Sequence, residues 1–204
     1  MNLDILIRAV QRKLKLSDDG KPGVATWTAI HIAICGEQGT AEDTMTNAIV
    51  DPVDARSEAN IATLHPRVRP YARALLLQAK QRGWQFKITS ALRTFGEQDA
   101  LYRQGRSAPG KRVTNARAGY SNHNFGLAFD VTLFNGTAPV WDSPLYKALG
   151  VIGGQLGLEW GGNWTSLRDE PHYQLRPAWA AGMTESVMLA ELRRRKASGR
   201  DFFA

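Results

Sequence analysis

The sequence predicts an α+β fold in which a small, mostly antiparallel sheet is flanked by helices, with a short helical module at the N-terminus. Apolar residues recur at helical spacing early in the chain and again near its end, whereas strand-like alternation is concentrated in the second half. No βαβ unit repeats along the chain, as it would in a doubly wound protein. With 204 residues, 43% of them hydrophobic, the chain can form one or two domains with a globular core.

Residues 1–36 are predicted to form a separate helical module. Apolar residues recur at helical spacing up to Leu14, a stretch containing Gly20 and Gly23 interrupts the pattern, and the spacing resumes from Val24 to Ile34. This pattern predicts a helix, a glycine-rich loop and a second helix.

Residues 37–60 are predicted to be a linker, because they are rich in Gly, Thr, Asp, Glu and Ala with little periodicity. The second domain then covers residues 61–204. Its predicted elements are helices over 68–79, 98–104 and 185–196, and strands over 84–89, 127–134 and 172–175.

The strand predicted over 127–134 carries the first candidate site residue. Its alternation directs Leu127 and Phe129 to the core and places Asp130 on the opposite face, between small residues. A carboxylate in an apolar strand needs a partner that offsets its desolvation, and a metal ion is one such partner. His123 lies seven positions earlier, and Gly126 lets the backbone bend so that both side chains can converge.

His172, at the start of the last predicted strand, supplies a third ligand. Two imidazoles and one carboxylate, with an open fourth position for water, match catalytic zinc, whereas structural zinc is usually closed by four protein ligands. Cys35 is the one cysteine of the chain, so a thiolate cage is excluded. The sequence therefore predicts one zinc ion held by His123, Asp130 and His172.

A zinc hydrolase also needs a carboxylate that takes up and passes on a proton, since zinc lowers the pKa of its water to about 7. Asp169, three residues before His172, is the candidate. Glu170 is the competing choice.

These residues resemble the zinc peptidases of the D-alanyl-D-alanine carboxypeptidase and L-alanyl-D-glutamate endopeptidase family, which includes many phage endolysins. The resemblance runs from about residue 51 to 180. It rests on five stretches, which are Ser90-Ala-Leu-Arg93 with Glu97-Gln98, Leu101–Gly105, Ser121-x-His123-x-x-Gly126-x-Ala128-x-Asp130, Leu158–Trp164 and Asp169-x-Pro-His172. The N-terminal module is similar to a short peptidoglycan-binding repeat through Val10–Leu14, Asp19-Gly20 and Thr26-Trp27; a plain helical hairpin is the alternative.

The resemblance implies that His123, Asp130 and His172 bind zinc and that Asp169 is the general base. It further implies that Arg93 and Ser121 contact substrate. Taken by itself, Arg93 could equally form a surface salt bridge. Two departures, Ala91-Leu92 in place of a Gly-aromatic pair and Asn163 in place of a frequent aspartate, bear on specificity.

The expected function is a zinc-dependent peptidoglycan hydrolase that cuts the stem peptide, with the L-alanyl-D-glutamate bond as the first choice. A D-alanyl-D-alanine carboxypeptidase shares the zinc motif and is the alternative. A noncatalytic wall-binding module, as in the related hedgehog-type proteins, is the alternative from another class. Trp160 and Trp164 could line a substrate cleft or belong to the core.

The net charge of +7 indicates an anionic partner. Bacterial peptidoglycan is expected, and nucleic acid is not, because the basic run Arg193–Lys196 is explained by a helix end. No signal peptide or membrane span is predicted, so the chain is expected to be made in the cytoplasm as a monomer. It would then act on the cell wall after release by a separate membrane-permeabilising protein.

Overall fold

The computed structural model describes residues 3–20, 26–27, 29–30, 33, 53–165 and 167–204. The chain divides into two compact units, Met1–Ala48 and Ile49–Ala204. No helix within the described ranges is long and apolar enough to cross a membrane.

The first unit contains helix α1 (Leu3–Lys13). Gln11 is buried on this helix, and its amide nitrogen donates to Asp19 Oδ1 (2.8 Å) and to Thr26 Oγ1 (3.1 Å), while its amide oxygen accepts from the backbone N–H of Gly20 (3.0 Å). The residues of the predicted repeat motif therefore contact one another. Most of the second helix, predicted from Val24 to Ile34, lies outside the described residues.

The described part of the second unit contains five helices and five strands. The helices are α2 (Ala55–Thr63), α3 (Arg69–Gln81), α4 (Phe95–Arg103), α5 (Leu145–Gln155) and α6 (Glu185–Ser198). The strands are β1 (Phe86–Ser90), β2 (Ala128–Asn135), β3 (Ala138–Val140), β4 (Glu159–Trp160) and β5 (His172–Gln174).

The strands form one antiparallel sheet in the order β1-β2-β5-β4, with β3 paired to the far end of β2. The predicted α+β class with a small antiparallel sheet is therefore confirmed. The strand predicted over 84–89 begins two residues later, at Phe86.

The alternation along β2 separates the core from the site. Phe129, Val131 and Leu133 are buried in the main core, together with apolar residues of α3 and α5. Leu127 belongs to a second cluster beneath α6. Asp130 lies on the opposite face of the strand and lines a cleft, as the sequence predicts.

Helix α2 begins at Ala55, inside the range 37–60 that composition predicts as a linker. Asp54 caps it by accepting a hydrogen bond from the backbone N–H of Ser57 (3.1 Å). The buried Ser57 hydroxyl in turn accepts from the N–H of Ile88 (2.9 Å), which ties the helix to β1. The buried face of α2 contains the polar Ser57 where an amphipathic helix usually has an apolar residue, so hydrophobic periodicity does not predict this helix.

Candidate metal centre

The sheet register brings two of the predicted ligands together. Asp130 on β2 lies directly opposite His172 on β5, and Ser90 of β1 lies opposite Asp130 on its other side. Neighbouring strands place opposite residues on the same face, so the two side chains meet at one end of the sheet.

His123 enters from a short 3₁₀ turn, Asn122–Phe125, that immediately precedes β2. Gly126 ends the turn with φ 67°, a left-handed conformation that favours glycine. A Cβ at this position would lie 2.8 Å from the backbone nitrogen of His65. The bend that the sequence predicts at Gly126 is therefore present, and it points the His123 ring at Asp130.

The three side chains form a tight triangle. The distances are 3.3 Å from His123 Nε2 to His172 Nδ1, 3.3 Å from His123 Nε2 to Asp130 Oδ1, and 3.2 Å from His172 Nδ1 to Asp130 Oδ1. Ligand atoms about 2.0–2.1 Å from a tetrahedral zinc ion lie roughly 3.3 Å from one another. The spacing of the three atoms fits a zinc ion.

The outer ring nitrogens explain why a cation fits. His123 Nδ1 donates to the backbone carbonyl of Ala91 (2.7 Å), so in the neutral ring its Nε2 carries a lone pair. His172 Nε2 faces the amide oxygen of Gln174 (2.9 Å), so its Nδ1 likewise carries a lone pair. Three electron-pair donors then meet without a proton between them, an arrangement that a bound cation stabilises.

The electrostatics of the triangle agree with this geometry. Burial alone would raise the pKa of Asp130, yet the adjacent histidines hold that pKa well below its ordinary range. Burial lowers the pKa of His123. Burial also opposes protonation of His172, but the negative charge of the adjacent Asp130 raises the pKa of His172 overall. The carboxylate is thus ionised and available as a ligand.

Arg93 lies on the second oxygen of Asp130. Its Nη2 is 2.5 Å from Asp130 Oδ2, and its Nε and Nη2 donate to Ser90 Oγ (3.1 and 2.9 Å). The residue also borders the cleft. The salt bridge raised as its alternative role is therefore present, and the partner is the central carboxylate of the site. The predicted substrate contact of Arg93 stays a prediction.

Ser121 lies just before the 3₁₀ turn and also lines the cleft. Its backbone carbonyl accepts a hydrogen bond from the N–H of Asn124 (3.0 Å). Its hydroxyl does not form a capping hydrogen bond to the turn. A contact of Ser121 with substrate stays a prediction.

Asp169 is exposed at the same cleft, on the loop that leads into β5. Its backbone is held on both sides, because its N–H donates to the carbonyl of Gly161 (3.1 Å) and its carbonyl accepts from the N–H of His172 (3.2 Å). Partial desolvation and the charge of Asp130 raise the pKa of Asp169. Glu170, the competing base, is absent from the residues that line the cleft.

The cleft has a volume of about 1100 Å³ and extends well beyond the triangle. Trp164 lines it, 36% exposed and with its ring centroid 4.9 Å from that of His172. Trp160 packs against the main core instead. The two tryptophans therefore take the two different roles that the sequence left open.

Two cleft arginines and one glutamine were not predicted from the sequence. Arg112 and Arg168 line the cleft, and neither forms an ion pair within the described part of the chain. Gln174 contacts His172 from behind. The arginines lie in loops without periodicity, and Gln174 gave no signal beyond its place two residues after His172.

The departure at Ala91-Leu92 has a structural explanation. The backbone carbonyl of Ala91, rather than its side chain, holds His123. Replacing glycine by alanine therefore leaves the contact intact. Asn163 is exposed at the cleft.

The comparisons with known proteins converge on one family. A family profile described as D-alanyl-D-alanine carboxypeptidase matches residues 114–175. The chain is 40% identical over 124 residues to the peptidoglycan L-alanyl-D-glutamate endopeptidase CwlK of Bacillus subtilis (strain 168), covering 56% of this chain and 74% of that protein. It is 30% identical over 123 residues to the L-alanyl-D-glutamate peptidase of Listeria phage A118, covering 59% of this chain and 41% of that protein.

A solved structure is also similar. The crystal structure of the Serratia marcescens L-Ala D-Glu endopeptidase ChiX matches with 28% identity and a TM-score of 0.48, over 64% of this chain and 94% of that chain. The matched profile covers His123, Asp130 and His172. Because the chain is 40% identical to the Bacillus endopeptidase over 74% of that protein, it belongs to the D-alanyl-D-alanine carboxypeptidase family of metallopeptidases, the peptidase M15 family.

Proposed function

We propose that this chain is a zinc-dependent peptidoglycan hydrolase, similar to endolysins, that cleaves the stem peptide at the L-alanyl-D-glutamate bond. The observation that carries the proposal is the triangle of His123 Nε2, Asp130 Oδ1 and His172 Nδ1, with sides of 3.2–3.3 Å at the floor of an open cleft. The 40% identity to a curated L-alanyl-D-glutamate endopeptidase supports the choice of bond.

His123, Asp130 and His172 would hold the zinc ion. When bound, zinc supplies an activated water and polarises the scissile carbonyl. Asp169 is the residue that accepts the proton of the attacking water and passes it to the leaving amine. Its exposure at the cleft and its anchored backbone suit this task.

Arg93 holds Asp130 in the orientation that presents Oδ1 to the triangle, through its bond to Oδ2. Its guanidinium also borders the cleft, where it stabilises negative charge that develops on the substrate carbonyl. Ser121, which immediately precedes the 3₁₀ turn, contacts the substrate. These two roles extend the geometry described above.

The unpaired arginines of the cleft favour an anionic peptide. Arg112 and Arg168 have their charges available within the described residues, and stem peptides carry free carboxylates. Two cationic side chains on the cleft wall would attract such a substrate and retain it.

A D-alanyl-D-alanine carboxypeptidase is the second candidate, and the description of the matched family profile favours it. The two activities release different products from the same material. The noncatalytic wall-binding alternative does not explain why Asp169 borders the cleft beside the triangle.

Purified peptidoglycan treated with the zinc-loaded protein and analysed by mass spectrometry distinguishes these functions. We expect muramyl ends that keep L-alanine, together with free peptides that begin with D-glutamate. Loss of a single D-alanine would establish the carboxypeptidase instead. Intact muropeptides after treatment would contradict both peptidase assignments, and the same protein treated with a chelator is the control.

The remaining parts of the proposal concern where the protein acts. The wall polymer is the partner, the chain is a monomer, and residues 1–36 form a separate peptidoglycan-binding-like module, joined by the linker predicted over 37–60, whose last residues belong to α2. The buried Gln11 cluster supports a defined fold for that module. As in a phage lysin, the wall is reached after a separate protein permeabilises the membrane.

A further inference from the structure

A polar network with a buried centre adjoins His172 on the wall of the cleft, outside the proposed ligand set. Its members are Asn122, Glu159, Gln174, Arg176 and Glu185. Gln174 is 2% exposed and Asn122 is 5% exposed, so the centre of this network is removed from water. The sheet register sets Gln174 opposite Glu159 on β4, and Gln174 shares a face with His172 two residues before it.

The hydrogen bonds of Gln174 have one consistent direction. Its amide oxygen accepts from His172 Nε2 (2.9 Å) and from Asn122 Nδ2 (2.6 Å). Its amide nitrogen donates to Glu159 Oε2 (2.7 Å). A flipped amide would set nitrogen against the Asn122 nitrogen and oxygen against a carboxylate oxygen, which would lose both bonds.

Glu159 is the group that determines this direction. An ionised carboxylate can only accept hydrogen bonds, so the atom of Gln174 that faces it must be the nitrogen. Arg176 holds Glu159 in place, because its Nε and Nη2 both donate to that carboxylate. The Gln174 oxygen is consequently left for His172.

Asn122 shows that the direction has a cost. Its Nδ2 donates both to the amide oxygen of Gln174 and to Glu185 Oε1, and both of these atoms only accept hydrogen bonds. Its own oxygen is buried and has no hydrogen-bond partner among the described residues. An orphaned acceptor is expected where surrounding carboxylates dictate which way an amide points.

We infer that Glu159, acting through Gln174, is a positioning residue that keeps the proton of His172 on Nε2 and so presents the Nδ1 lone pair to the metal. The inference rests on the zinc centre of the proposed function. Hydrogen bonds that orient a ligating histidine in this way typically contribute a factor of about 10–100 in metal affinity.

The first test is Glu159→Gln. Arg176 is a cation, so it will take the oxygen of the new amide and leave that amide's nitrogen facing the nitrogen of Gln174. Gln174 then flips, its nitrogen donates to His172 Nε2, and the ring proton moves to Nδ1. We expect zinc affinity to fall about 10- to 100-fold in a competition titration. We also expect ¹⁵N spectra of the metal-free protein, recorded at a pH where the His172 ring is neutral, to show the proton shifted from Nε2 to Nδ1.

The second test exchanges the two groups. Gln174→Glu alone places two carboxylates against each other and should also weaken zinc binding. The double variant Glu159→Gln/Gln174→Glu has the net charge of the parent, and the hydrogen bonds that join residue 174 to His172, Asn122 and residue 159 can form again, with His172 donating to the new carboxylate. We expect its zinc affinity to return to within about threefold of the parent. Glu58→Gln is the control, since it also removes a carboxylate that is paired with an arginine, Arg73, but lies outside this network and outside the cleft.

The outcomes separate this inference from the proposed function. Parent-like zinc affinity in Glu159→Gln, an unchanged His172 tautomer, or a double variant as weak as Glu159→Gln would each overturn the inference while leaving the zinc centre standing. If the parent chain itself bound no zinc, the proposed function would fail, and the tautomer measurement would still decide the role of Glu159. A double variant that folds and rescues binding excludes general damage to the fold.

Discussion

Replacing Asp169 by Asn should abolish most of the hydrolytic activity without removing the metal. The substitution keeps the shape of the side chain and removes its ability to accept a proton. The carboxylate makes no hydrogen bond to the described residues, and the backbone on either side is fixed by Gly161 and His172. The variant should therefore fold like the parent, with a free energy of unfolding within about 0.5 kcal/mol.

The expected loss follows from the assigned role. A positioned general base contributes about 10²–10⁴ to a rate. At about 1.36 kcal/mol for each tenfold change, this corresponds to roughly 3–5 kcal/mol of transition-state stabilisation. A side chain that only decorates the cleft wall would change the rate by a much smaller factor.

The assay measures kcat on a soluble muropeptide, by quantifying new amino termini, in protein whose zinc content is determined in the same sample. Glu170→Gln is the matched control, because it removes the adjacent carboxylate, which does not border the cleft. We expect that control to keep near-parent activity. An Asp169→Asn protein with full zinc and more than a third of the parent rate would refute the base assignment, and a large loss in Glu170→Gln instead would move the role to Glu170.

Three further predictions test the surroundings of the site. Gly126→Ala should lower the free energy of unfolding by more than the roughly 1–2 kcal/mol that an alanine costs in the left-handed conformation, and it should reduce zinc content. Gly136→Ala is the control, because Gly136 has φ 61° and a Cβ added there would have no atom within 4 Å, so this variant should show the backbone cost alone. Glu58→Gln should cost about 1 kcal/mol at pH 7. The hydrogen bond from Arg73 lowers the pKa of Glu58 from its ordinary value of 4.5, so the stabilisation is present above pH 4.5 and is lost as the pH falls below it. If the parent and Glu58→Gln differed in unfolding free energy by the same amount at pH 3 and pH 7, this account would be contradicted. Arg168→Glu should raise KM for an anionic muropeptide about three- to tenfold, or about 0.7–1.4 kcal/mol, with little change in kcat, whereas the same charge change in Lys147→Glu on the exposed side of α5 should not.

The convergence of His123 and Asp130 was predictable from short-range pattern. Strand alternation settles which face Asp130 occupies, and a glycine at 126 indicates the bend before it. The register of β2 against β5, which sets Asp130 opposite His172, depends on pairing between distant segments. Ligand chemistry, in which two imidazoles and one carboxylate match catalytic zinc, supplied that long-range link, and the resemblance to the family agreed with it.

Other features had no signal of this kind. Helix α5 contains Gly150, whose missing Cβ makes room for the ring of Trp160, because a Cβ there would lie 2.4 Å from that ring. Glycine has a low helix propensity, so the glycine that this packing requires makes α5 difficult to predict from helix propensity. The pairing of Arg93 with Asp130 and the network behind Gln174 likewise depend on tertiary contacts, since their members lie far apart in sequence.

The central claim is that His123, Asp130 and His172 hold one zinc ion. The most direct test is the zinc content of the purified, zinc-loaded and dialysed chain, compared with that of His123→Ala prepared in the same way. We predict about one zinc per chain in the parent and a loss of both tight zinc binding and hydrolysis in the variant. Full zinc occupancy in His123→Ala would contradict the ligand set.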